Sequence, residues 1–125
     1  ADFFISQVKL EKGDLAPVLD IERKPRGKAQ LQADLVKFLN RLEQHYGVKP
    51  IIYTSYKYMT RYLDTPEFAQ YPLWIAHYYV DTLSYEGAWQ FWQHTDYGTV
   101  PGIDESVDLN VFNGSLDGLQ RYTLK

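Results

Sequence analysis

The sequence predicts an α/β fold in which a parallel sheet is joined by helical crossovers. Two observations carry this. Helical and strand-like stretches alternate through the first half of the chain, and parallel strands need an intervening helix or a comparable length of chain to return in the same direction. The stretch "APVLDIERK", Ala16 to Lys24, then runs apolar residues straight into two acids, Asp20 and Glu22. The carboxyl ends of strands are where α/β folds assemble their sites.

Residues 3–10, "FFISQVKL", read as the end of a helix that Gly13 breaks. "APVLDIE" is the first strand, and "RKPRGK" is a basic loop containing Pro25 and Gly27. Residues 29–46 form the clearest helix: Leu31, Leu35, Phe38, Leu39, Leu42 and Tyr46 recur at helical spacing, and Gly47 is a natural stop. Pro50 opens the short β-branched strand "IIYT". Ser55 caps a helix to about Leu63, and Pro66 interrupts the chain after it. After Pro72 come three strand-like pieces, "LWIAHYY", "AWQFWQHT" and "VDLNVFNG", separated by Gly- and Asp-rich loops. "SLDGLQRYTLK" is a short terminal helix weakened by Gly118. The chain starts in a helix with no strand before it, as the later part of a larger α/β unit would.

At 125 residues the chain fits one domain with a sizeable core. A net charge of −3 gives no electrostatic footprint for nucleic acid or an anionic membrane. No apolar run approaches the roughly 20 residues that span a bilayer, and no signal peptide is visible. Cysteine is absent, which removes disulfides, thiol nucleophiles and Cys-type zinc sites. His45, His77 and His94 lack metal-ligand spacing, and there is no phosphate-cradling glycine loop or GxSxG elbow. Aromatics reach 16%, with 11 Tyr and 3 Trp. That serves an aromatic core or a ligand groove, since Tyr and Trp join a flat apolar face to a polar handle.

In an extended strand Val18, Asp20 and Glu22 share one face. Cleavage of a glycosidic bond needs one carboxylic acid to protonate the leaving oxygen and a second group to stabilise or attack the oxocarbenium-like centre. Two close carboxylates also raise one pKa, which keeps one acid protonated near neutral pH. With 16 acids in the chain, such a pair arises by chance about twice, so the motif alone is equally an acid pair solvated beside Arg23, Lys24 and Arg26. Asp108 and Asn110 share a second polar strand face, which alone is also a solvated edge. Trp74, Ala76 and Tyr78 alternate against Leu73, Ile75 and His77, a face suited either to core or to a sugar platform. Tyr53 and Gln93 can join that wall, and a buried Gln93 would need a partner such as a ligand hydroxyl.

Taken together, "APVLDIE", "KPIIYTSY", "YPLWIAHY", "WQFWQHTDYGTVPGI" and "SVDLNVFNG", in that order, resemble the family 25 glycoside hydrolases, the lysozymes of the bacterial and phage muramidase type. The resemblance implies an irregular TIM-like (β/α) barrel, here lacking its first strand–helix units, so that residues 1–125 form a single, partial muramidase catalytic domain. It implies cleavage of the β-1,4 bond between N-acetylmuramic acid and N-acetylglucosamine in peptidoglycan, with no cofactor and no metal. The family's Asp-x-Glu motif maps Glu22 to the general acid and Asp20 to stabilisation of the reacting centre through the substrate's acetamido group. Asp108 matches a further acid of the cleft, and Tyr53, Trp74, Tyr78 and Gln93 match cleft-wall positions. The implied partner is the peptidoglycan glycan strand, and the implied location is extracellular or the cell envelope, secreted or phage-delivered. A chitinase-like reading is disfavoured by Val18, where that family's longer acidic pattern has another acid. The family's opening strand and its Asp are not in the chain. This leaves a glycan-binding remnant as the alternative, and exposed sheet edges that invite self-association.

Overall fold

The computed structural model describes residues 1–125. Five strands form one sheet in sequential order: β1 (Val18–Asp20), β2 (Ile51–Ser55), β3 (Leu73–Ala76), β4 (Phe91–Gly98) and β5 (Val107–Phe112). The first four are parallel. The alternation of elements predicts this for β1 to β3, whereas β3 and β4 are joined by a loop without a helix, and β5 runs antiparallel to β4. The reason is the link. Residues 99–106 are too few for a crossover, and they turn at Pro101-Gly102, where Gly102 has φ of +90°.

Helix α1 (Asp2–Gln7) is shorter than the sequence suggests and is tied to α2 (Lys28–Tyr46) by the Arg41–Asp2 ion pair and by Tyr46 Oη donating to the Val8 carbonyl. Gly47 ends α2 in the left-handed conformation that glycine adopts without strain. Ser55 caps α3 (Tyr56–Tyr58) by accepting from Tyr58 N, and the chain continues through the wider π-helical turn Met59–Leu63. Pro66 does not interrupt the chain as expected. It opens α4 (Pro66–Ala69) at the first helical position, where its missing N–H would have no partner anyway. Ser115 caps α5 (Leu116–Leu119) through Gly118 N, so Gly118 is tolerated there.

Sequential strand order stacks α2, the turn Met59–Leu63 and α4 on one face of the sheet. On that face Leu35 and Leu39 of α2, Met59, Leu63 and Phe68 bury Ile52, Leu73 and Ile75. On the opposite face a smaller cluster of Ala16, Ile51 and Phe91 is covered by Leu119 and Tyr122 from the C-terminal segment. That cover reaches only the end where the strands begin. The carboxyl-end half of the same face carries polar side chains, and β1 and β5 are the sheet's two edges. Mutual burial of apolar faces therefore fixes which side of the sheet is left for chemistry.

Candidate active site

Strand register builds the site. Asp20 pairs with Tyr53, Tyr53 with Trp74 and Trp74 with Phe91, which places these side chains in one row across four strands. The rings touch along it: Tyr53 meets Trp74 edge-on at 5.5 Å between centroids, and Trp74 leans on Phe91 at 5.5 Å. Nearer the carboxyl ends lie Ser55, Ala76, Gln93 and Asn110, again in register. Trp74 Nε1 donates to Asn110 Oδ1 at 2.7 Å, so the indole is held from β5 as well.

Gln93 is 5% exposed, and its Oε1 accepts from both Tyr53 Oη, at 2.7 Å, and Tyr78 Oη. The buried amide oxygen is thus satisfied by two phenols within the protein, which leaves the Nε2 donors as the part of Gln93 open to a ligand hydroxyl. The arrangement fixes what the phenols offer a ligand. Their protons point at Gln93, so each oxygen presents lone pairs.

Regular strand geometry ends at Asp20, two residues before the predicted end, and Glu22 sits on the segment just beyond. That segment is pinned at three points. Ile21 N donates to the Tyr53 carbonyl at 3.0 Å, Thr54 Oγ1 donates to the Ile21 carbonyl at 2.5 Å, and Tyr58 Oη donates to the Arg23 carbonyl at 2.9 Å. Thr54 itself is fully buried. The acid therefore stands on a short, tied stretch at the carboxyl end of the sheet.

Partial burial pushes the Glu22 carboxyl above its ordinary value, and the Asp20 charge and a hydrogen bond to Asp20 push it the same way. Burial leads these causes even though Glu22 keeps much of its surface in contact with water. The phenol of Tyr53 is raised by burial first, then by Tyr78, Glu22 and Asp20. The Tyr78 phenol is raised by burial, with Asp108, Asp96 and Glu22 adding to it. Asp20, Glu22, Tyr53, Tyr78, Gln93 and Asp108 thus belong to one neighbourhood. Sequence reasoning missed Asp96, which lies on β4 and accepts from Tyr79 Oη at 2.7 Å. Only the presence of an acid three residues after Gln93, in the "QHTD" stretch, hinted at it. No cluster of three or more His, Asp or Glu side chains has the geometry to hold a metal ion. His77 stacks on Tyr56 at 4.3 Å and lies outside this neighbourhood's hydrogen bonds.

Two neighbouring carboxyls thus stand at the end of a strand, one of them pushed above its ordinary range, beside a wall of aromatic and amide groups. Comparison with known proteins decides the family. The model of the glycosyl hydrolases family 25 matches residues 1–103. The chain belongs to that family. The Escherichia coli protein YegX is 40% identical over 124 residues, a match that covers 98% of this chain and 45% of YegX. The bacterial lysozyme from Streptomyces coelicolor superposes with a TM-score of 0.85 at 30% identity, over 98% of this chain and 63% of that one. The family 25 glycosyl hydrolase from Bacillus anthracis gives 0.84 at 30% identity, over 98% and 61%. The chain spans less than half the length of the curated relatives it matches. The mixed α/β fold with its five-stranded sheet is that of the family 25 lysozymes. Asp108 lies beyond the stretch matched by the family model. No helix is long and apolar enough to cross a membrane.

Proposed function

We propose that this chain is a single muramidase catalytic domain, in part or whole, that hydrolyses the β-1,4 bond between N-acetylmuramic acid and N-acetylglucosamine in peptidoglycan, outside the cell or at its envelope. The observation that carries the reading is the Asp20–Glu22 pair at the carboxyl end of the sheet, where burial and then Asp20 push the Glu22 carboxyl above its ordinary value. Glu22 donates its proton to the glycosidic oxygen as the bond breaks. Asp20 accepts from the substrate's acetamido N–H and stabilises the reacting centre. Tyr53 and Tyr78, their own protons committed to Gln93, accept hydrogen bonds from the sugar. Trp74 supplies an apolar face, and Asp108 adds negative potential on the far wall. The same reading places the sheet in an irregular (β/α) barrel, supported by the 61% and 63% of the solved chains that it covers and by the open edge of β1. That edge gives a route to self-association.

The test is hydrolysis of purified peptidoglycan by this chain beside Glu22→Gln, with the new reducing ends identified. Muramic acid ends released by the wild type alone support the reading. Equal release by Glu22→Gln removes Glu22 from the mechanism, and glycan binding without release favours a binding module.

A further inference from the structure

Tyr79 is the only non-glycine residue with positive φ, at +59°. Bulky side chains avoid this backbone region, and when one is held there the surrounding structure must enforce it. Folding does not account for the choice, because the ring is 81% exposed and buries almost nothing. Two contacts fix its direction. Its Oη donates to Asp96 Oδ1 at 2.7 Å, and its ring stands edge-on to Tyr78 at 6.2 Å between centroids. Tyr78 in turn is tied to Gln93 on the cleft wall. The second oxygen of Asp96, Oδ2, takes no hydrogen bond from the protein. A strained, water-facing ring is thus braced beside a carboxylate with free lone pairs, on the lip of the cleft.

We propose that Tyr79 and Asp96 form an additional sugar platform, which binds a hexosamine ring next to the pair being cleaved. The inference rests on the proposed glycan-hydrolase function. A pyranose has an apolar C–H face and a rim of hydroxyls. The Tyr79 ring matches the face, and Asp96 Oδ2 accepts from a hydroxyl. Because backbone and phenol are both fixed beforehand, little side-chain freedom is lost when the sugar lands, so the strained conformation is returned as affinity. The platform sets how many sugars the cleft counts, and hence a preference for longer glycan.

The experiment is calorimetric binding of soluble N-acetylglucosamine oligomers of two to five units, in a Glu22→Gln background where turnover cannot interfere. Tyr79→Ala should weaken binding of the longer oligomers roughly three- to tenfold, the range expected for one aromatic contact, and leave the disaccharide unchanged. Asp96→Ala should act in the same direction. Tyr79→Gly relieves the backbone and should lose the same binding without lowering Tm, which separates a ligand role from a structural one. Phe3→Ala, equally exposed on α1, should change neither. Affinities of Tyr79→Ala equal to the parent at every length overturn the platform and leave the hydrolase reading intact. A uniform loss that includes the disaccharide, with a lowered Tm, also overturns it. Failure of every oligomer to bind the parent overturns both.

Discussion

Thr54→Val tests whether the tie beneath the proposed acid matters. Thr54 is fully buried on β2, and its hydroxyl donates to the Ile21 carbonyl at 2.5 Å, one residue before Glu22. Valine matches threonine in shape, so no cavity opens, and the change isolates the hydroxyl. The Ile21 carbonyl then loses its side-chain donor. Stranding a partly buried acceptor costs about 1–3 kcal/mol, and water can reach this half-buried residue, so about 1.5 kcal/mol is the working figure. With a urea m-value of about 2 kcal/mol/M, the unfolding midpoint falls by about 0.75 M at constant m. Thr54→Ser keeps the hydroxyl and deletes a methyl, at a cost of about 1 kcal/mol. The two variants are therefore close in stability and should separate in activity. Valine loosens the segment carrying Glu22 and lowers kcat on peptidoglycan about tenfold or more, as small displacements of a catalytic group do, whereas serine stays near wild type. Equal kcat for valine and wild type, with an unchanged midpoint, would refute the idea that this hydroxyl positions the acid.

The same geometry makes further predictions. Asp20→Asn removes the charge that raises the Glu22 carboxyl, so its titration, followed by ¹³C NMR, should move to lower pH yet stay above the ordinary value, because burial remains. A raised folded-state pKa means that the native state holds the Glu22 proton more tightly than the unfolded chain. Stability is therefore lost as pH rises from the unfolded value of about 4.5 through the folded one. In Glu22→Gln, unfolding measured across that window should lack this loss. Gly98 pairs with Val107, and a Cβ there would come within 2.4 Å of Leu109 Cγ and 2.8 Å of the Val107 carbonyl. Gly98→Ala should cost about 1–3 kcal/mol in chemical denaturation and shift the amide resonances around Asp108, which the same β4–β5 pairing holds.

Much of the fold is legible in the sequence because local chemistry and global architecture agree. The spacing of Leu35, Leu39 and Leu42 marks a helix with one buried face, and the structure buries those three residues. Ser55 and Gly47 act at helix ends as their side chains dictate. Pro66 is ambiguous in sequence because a proline that breaks one helix serves equally well to start the next, and only the packing of the residues after it decides. The end of β1 reads too long in sequence because alternation of faces continues past the point where regular pairing stops.

By itself the sequence determined most of the helices and strands and the parallel character of β1 to β3, since periodicity, caps and the alternation of elements are legible locally. Tertiary structure alone decided the parallel pairing of β3 with β4, the meeting of Tyr53 and Tyr78 on one Gln93 oxygen, the three-point anchoring of the Glu22 segment, and the entry of Asp96 through Tyr79. Each of these joins residues far apart in the chain. Their distances come from strand register and from which sheet face the helices cover, and neither is written in any short stretch of sequence.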